Sequence, residues 1–252
     1  MPVARYVFVL LSLLLASHLQ AESMTLAVAS NFARPAEDIV ARFEAASGHS
    51  VRVTTASTGK LYAQIVNGAP FDVLLAADAE RPRLLEESGI GVMGTRATYA
   101  IGRLYLYSRN ASFAGVDCVA QLATLGKRRL AIANPQTAPY GKAALEYLQK
   151  TGFLSTVEPQ LVYGENISQA FLFVATGNAE IGLVANSQVA MSRMHDATCE
   201  WLVPEDRHSP IEQQVILLQK AKTKPAATEF LSFLSGAESR AVLSNYLYGL
   251  PQ

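Results

Sequence analysis

The segment TTASTGKLYAQIVNGAPFDVLLAAD, running from Thr54 to Asp78, leaves few architectures open to this chain. Its β-branched lead-in (Val51, Val53, Thr54, Thr55) breaks into the small residues Ala56-Ser57-Thr58-Gly59. An amphipathic helix then opens at Lys60, with Leu61, Ile65 and Val66 as its apolar positions. Asn67-Gly68 ends that helix, and Phe71-Asp72-Val73-Leu74-Leu75 reads as a buried strand. A strand-to-helix turn of this composition presents bare backbone N–H groups and a hydroxyl at the positive end of a helix dipole, a favourable seat for an oxyanion. Strand, turn, helix and strand in succession predict an α/β sheet whose ligands lie beyond the strand ends.

The same pattern surrounds this segment. Met24 to Ala29 reads as a strand stopping at Ser30-Asn31, followed by a helix with Phe32, Ile39, Val40 and Phe43 on one face and an end near Gly48. Arg81 to Glu87 continues as helix, and Tyr99 to Tyr107 reads as one long strand. The pattern then restarts. Arg129 to Ala133 is a strand, Asn134 to Pro139 a turn, and Tyr140 to Gln149 a helix whose first position suits Pro139. Leu161 to Tyr163, Gly164-Glu165-Asn166 and a helix from Ile167 to Thr176 lead to the buried strand Ile181 to Ala185. Ile211 to Leu218 is extended and apolar, and helices around Ala226 to Leu234 and Glu238 to Tyr246 close the chain. An organisation that occurs twice predicts two similar α/β lobes with a cleft between them. With Tyr99–Tyr107 and Val215–Leu218 as crossover strands, the first lobe takes residues 22–102 and 211–252 and the second, inserted lobe takes 103–210. Two such crossings make a hinge.

Arg5, the apolar run Val7 to Ala16 and the small residue Ala21 form the pattern of a cleavable secretory signal over residues 1–21, too short to span a bilayer of roughly 30 Å comfortably. Its removal leaves about 230 residues, room for one large or two small domains. Twenty-one basic against 21 acidic side chains indicate neither a nucleic-acid surface nor a polybasic membrane patch. For the two cysteines, Cys118 and Cys199, an oxidising compartment favours a disulfide over two separate buried thiols.

Four strand-to-helix turns carry the candidate chemistry: Ser30-Asn31, Ser57-Thr58-Gly59, Ala138-Pro139-Tyr140 and Asn166-Ile167-Ser168. Taken alone, each is an ordinary helix start, worth about 1 kcal/mol where it caps. Two from each lobe, all at the carboxyl ends of strands, point to a ligand shared between the lobes. The donors are neutral: backbone N–H groups, Ser and Thr hydroxyls, the Asn31 amide and the Tyr140 hydroxyl. Hydrogen bonds from such groups to a desolvated anion are worth roughly 1.5–3 kcal/mol each, so no counter-charge is needed. An all-donor shell suits a fully deprotonated dianion, whereas phosphate, which carries a proton, also needs an acceptor. A dianion of molybdate, tungstate or sulfate type is therefore expected. Ser57-Thr58-Gly59-Lys60 also fits the S-x-x-K pattern of serine acyl-transfer enzymes, but no S-D-N triplet accompanies it and Lys222-Thr223-Lys224 lacks the K-T-G glycine. His49, His195 and His208 are scattered without ligand spacing and read as surface histidines, so no metal is expected except as part of an anion.

AVASNFARPAEDIVARFE, TTASTGKLYAQIVNGAPFDVLLAADAERPRLLEESG, IANPQTAPYGKAALEYL and GENISQAFLFVATGNAEIGLVANSQ together resemble the periplasmic molybdate-binding proteins of ABC transporters over most of the exported chain. The resemblance implies a two-lobe clamp of the type II periplasmic-binding-protein class. Such a clamp closes on molybdate or tungstate and delivers it to an inner-membrane permease, as a monomer, without a cofactor and without catalysis. Residue by residue it implies hydroxyl donation from Ser30 and Ser57, an amide-bearing neighbour at Asn31, backbone N–H donation at Tyr140 and Ile167, and a further contact at Thr58. Another branch of that family supplies a tyrosine hydroxyl from the segment matching Val184-Ala185-Asn186. Here Ala185 stands in its place.

Overall fold

The structure, a computed structural model, describes residues 21–192 and 197–251. The signal segment lies outside them apart from Ala21, and His195 lies outside them too. The first half of the chain runs through β1 (Ser23–Ala29), α1 (Ala33–Ser47), β2 (Ser50–Ala56), α2 (Thr58–Val66), β3 (Val73–Leu75), α3 (Glu80–Glu87), β4 (Ala97–Gly102) and β5 (Leu104–Ser108). The second half adds β6 (Leu130–Ala133), α4 (Pro139–Lys150), β7 (Leu161–Gly164), α5 (Ile167–Ala175), β8 (Ile181–Ala185), α6 (Asn186–Ser192), β9 (Cys199–Leu202), β10 (Ile211–Leu217), α7 (Pro225–Leu234) and α8 (Ala237–Asn245).

Two five-stranded sheets result, ordered β2-β1-β3-β10-β4 and β7-β6-β8-β5-β9. In the first, β1 runs parallel to β2 and β3 while β10 is antiparallel to β3 and β4. In the second, β6 is parallel to β7 and β8 while β5 is antiparallel to β8 and β9. One plan is thus built twice. Parallel neighbours need helical crossovers, and this requirement sets a strand-to-helix turn at the carboxyl end of β1, β2, β6 and β7. The sheets are covered by helices whose apolar faces the sequence marks. Ile39, Val40 and Phe43 of α1 are buried, Phe43 meets Phe230 of α7 edge-on, and Gly48 ends α1 at φ 74°, where a side chain would be strained.

Three expectations need correction. Tyr99–Tyr107 is not one strand. It divides at Arg103, β4 pairing in the first sheet and β5 in the second, because the Arg103 N–H donates to Asn186 Oδ1 (3.0 Å) rather than to a strand neighbour. Val215–Leu218 does not cross between sheets: Val215–Leu217 pairs with Leu75–Val73 inside the first, and residues 203–210 make the return passage. Apolar composition marked Val215–Leu217 as a buried strand without saying where the chain changes sheet. His49 and His208 are likewise buried rather than exposed, with His49 Nδ1 accepting from the Glu22 N–H (3.1 Å). Cys118 and Cys199 form a disulfide across 81 positions with a Cα–Cα distance of 5.6 Å. Closing a loop of that length contributes on the order of 4 kcal/mol in the chain-entropy account.

Candidate functional site

Ser30, Asn31, Ser57, Thr58, Tyr140 and Ile167 come from four turns of the sequence, and they line one small cavity between the sheets, walled otherwise by alanines and Pro139. All six side chains are buried. Thr58 and Ile167 are the first residues of α2 and α5, and Tyr140 is the second residue of α4, after Pro139. Helix starts leave such N–H groups without an intrahelical acceptor, and among the described residues these three find no other acceptor. The adjoining caps are unblocked where it matters: Ser57 and Ala138 make no side-chain cap, and Asn166 caps Gln169, three residues into α5. Three helix dipoles thus point their positive ends at one small space.

Ser57 is the most telling residue. Its Oγ is buried and has no hydrogen-bond partner within the protein, an arrangement that costs about 1–3 kcal/mol unless something in the cavity receives the hydroxyl. Thr58 Oγ1 accepts from the Ala77 N–H (3.0 Å), which orients it and leaves its proton to donate. Gly59 lacks a side chain for a clear reason: its N–H donates to Thr137 O across the cleft (2.9 Å), and a Cβ there would stand 3.0 Å from that same oxygen.

Two side chains are turned differently from the expectation. The Asn31 amide spends both donors inside the protein, on Gln213 Oε1 (2.9 Å) and the Tyr248 hydroxyl (3.0 Å), so the part of Asn31 left for a ligand is its backbone. The Tyr140 hydroxyl donates to Asn186 Oδ1 (2.9 Å) and accepts from Gln213 Nε2 (3.2 Å), so Tyr140 too faces the cavity with its backbone. Burial raises the Tyr99 and Tyr140 hydroxyls well above the ordinary tyrosine range and pushes Tyr248 up to about 12. The surroundings of the cavity therefore stay uncharged, and no carboxylate lines it.

The lobes are closed on each other. Ser168 Oγ donates to Ser30 O (3.1 Å), Ser187 Oγ to Asn31 O (2.6 Å) and Asn186 Nδ2 to Tyr246 O (2.7 Å). At the rim, the exposed Lys60 ammonium pairs with Glu165 of the opposite lobe. Lys60 thus turns to Glu165, and Ser57 has no base against its hydroxyl. A wider groove of about 140 Å³ adjoins the cavity through Ala77 and Pro139 and carries Asp78, Arg81, Lys142 and Glu146.

The family model for bacterial extracellular solute-binding proteins matches residues 24–248. The chain belongs to that family. Among its relatives, this solute-binding protein is 44% identical over 237 residues to the molybdate-binding protein ModA of Azotobacter vinelandii, a match covering 94% of each chain. It is 43% identical over 222 residues to ModA of Rhodobacter capsulatus, covering 88% of this chain and 86% of that one. Among solved structures, the periplasmic molybdate-binding protein of Azotobacter vinelandii superposes with a TM-score of 0.85 at 34% identity, covering 91% of this chain and all of the other. The two-lobe clamp is the fold of this solute-binding protein.

Sequence reasoning overlooked Gln213, Tyr248 and Ser187, which hold Asn31 from three separate segments. One signal was available. Gln213-Gln214 stands between Ile211 and the apolar run Val215–Leu217 of the strand IEQQVIL, and a buried amide in such a place must be satisfied by something.

Proposed function

We propose that this protein captures molybdate, and tungstate with it, in the periplasm and delivers it to an ABC permease of the inner membrane. The observation that carries the reading is the buried, unpartnered Ser57 hydroxyl, set among helix-start N–H groups from both lobes in a cavity without charge. Ser30, Ser57 and Thr58 would offer hydroxyls, and Asn31, Tyr140 and Ile167 backbone N–H groups, to one fully deprotonated tetrahedral anion. The sequence and fold of the ModA proteins, at 44% and 34% identity, support the same ligand. Lobe I is taken as residues 22–102 and 211–252 and lobe II as 103–210, moving as a hinged pair. Residues 1–21 direct export. The protein works as a monomeric carrier and not as a catalyst: a serine acyl enzyme would need a base bonded to the Ser57 hydroxyl, which has no hydrogen-bond partner within the protein.

Closure is stabilised only to the extent that the anion favours the closed state over the open one. Ile167→Ala should leave affinity near the wild-type value, because the backbone donates at that position. Calorimetric titration of refolded, ligand-free protein with molybdate, tungstate, sulfate and phosphate tests the proposal. Binding of the two larger anions without phosphate is expected. Equal binding of sulfate would make this a general dianion receptor, and silence with all four would refute the reading.

A further inference from the structure

The side chain that joins the two halves of the cavity is Gln213, fully buried in β10. Its Oε1 accepts from Asn31 Nδ2 (2.9 Å) and from the Tyr99 hydroxyl (3.0 Å), and its Nε2 donates to the Tyr140 hydroxyl (3.2 Å). Asn31 sits in the donor turn of one lobe and Tyr140 in the donor turn of the other. One amide thus spans from the β1 turn to the start of α4. The strand is shaped to present it: the β4–β10 ladder shifts register between Gln213 and Gln214, an irregularity of the kind that re-aims side chains. The opposite strand is shaped for it as well, since a Cβ on Gly102 would strike the Tyr140 hydroxyl and stand 2.9 Å from Gln213 Nε2. An apolar residue would fill this position without any need for partners, so an amide bonded at both ends here calls for a role beyond filling space.

We propose that Gln213 is a positioning residue that sets the separation of the Asn31 and Tyr140 turns in the closed clamp, and so selects the size of the tetrahedral dianion. It touches no ligand itself. The hydrogen bonds on both ends of its amide fix how closely two sets of N–H donors approach, and donors held within a fraction of an ångström discriminate between anions that differ in bond length rather than in charge. Selectivity is a ratio of two affinities, and a rigid spacer acts on that ratio where a loose one acts on neither member preferentially.

The inference rests on the molybdate reading, and one titration series separates the failure of each. Ligand-free wild-type protein, Gln213→Asn and Gly102→Ala are each titrated with molybdate and with sulfate, with a thermal melt of every variant. In Gln213→Asn, one methylene shorter, the molybdate-to-sulfate affinity ratio should fall at least ten-fold. Gly102→Ala, which leaves Gln213 in place and crowds its junction with Tyr140, should move the ratio in the same direction. If both affinities drop by a common factor and the ratio stays at the wild-type value, Gln213 only supports the fold and the proposal is overturned. Loss of a cooperative melt in both variants overturns it as well. If wild-type protein binds neither anion, the molybdate reading itself is at fault.

Discussion

The floor and the rim of the cleft hold the two lobes together by opposite means. On the floor every group is neutral and buried: the Asn31–Gln213–Tyr140 chain links the lobes, and Ser57 Oγ and the helix-start N–H groups face the cavity without a partner in the protein. At the rim, Lys60 and Glu165 meet as full charges with about half of each side chain exposed. Exposed ion pairs contribute about 0–1 kcal/mol and weaken with salt, whereas an unsatisfied buried hydroxyl costs more and does so at any ionic strength. Affinity and selectivity therefore belong to the floor. The rim biases how readily the clamp closes.

Breaking the floor where its backbone is tightest should have the largest effect. A Cβ on Gly141 would fall on the Ala133 carbonyl oxygen and close to Asn134, so Gly141→Ala must push α4 away from β6. A loss of about 3 kcal/mol, seen as a fall of roughly 6–12 °C in Tm, is expected, together with weak anion binding. Alkali should attack the same region next. The folded Tyr248 hydroxyl titrates at about 12 against an unfolded value of 10.0, so the unfolded chain loses its proton first. The contribution is complete below pH 10 and disappears between pH 10 and 12, about 3 kcal/mol over that window. Tyr248→Phe should flatten that limb of a stability-versus-pH curve measured by urea unfolding.

Ser57→Ala sharpens the contrast further. Affinity should weaken by about 1–3 kcal/mol, roughly 5- to 150-fold in Kd by calorimetry, while the ligand-free protein melts no lower than wild type because the lost hydroxyl had no partner in the protein. A mutant that melted lower and bound normally would place Ser57 in the structure and outside the site. The smallest effect belongs to the rim: Lys60→Gln should change Kd by less than about 1 kcal/mol, and the difference from wild type should shrink as salt is raised.

The residues that were legible in the sequence are those whose role is local. Hydrophobic periodicity marks the four strand-to-helix turns that hold Ser30, Ser57, Thr58, Tyr140 and Ile167, and the family resemblance singled out these residues within them. The doubled α/β plan followed from the same periodicity. What escaped was set by distance along the chain. Gln213 meets Asn31 across 182 positions and Tyr248 meets it across 217, so nothing near Asn31 announces that its amide is already engaged. The break at Arg103 was hidden because the residues on both sides are apolar and extended as one strand would be, and only the pairing partners, β10 on one side and β8 with β9 on the other, divide them.

A crystal structure of the mature protein with molybdate, phased on the anomalous signal of molybdenum, addresses the uncharged cage most directly. The account predicts a single strong peak between the lobes, with oxygens within hydrogen-bonding distance of Ser57 Oγ and of the N–H groups of Thr58, Tyr140 and Ile167. A peak bound instead by Lys60, Arg81 or Lys142, or one resting on a single lobe, would contradict it.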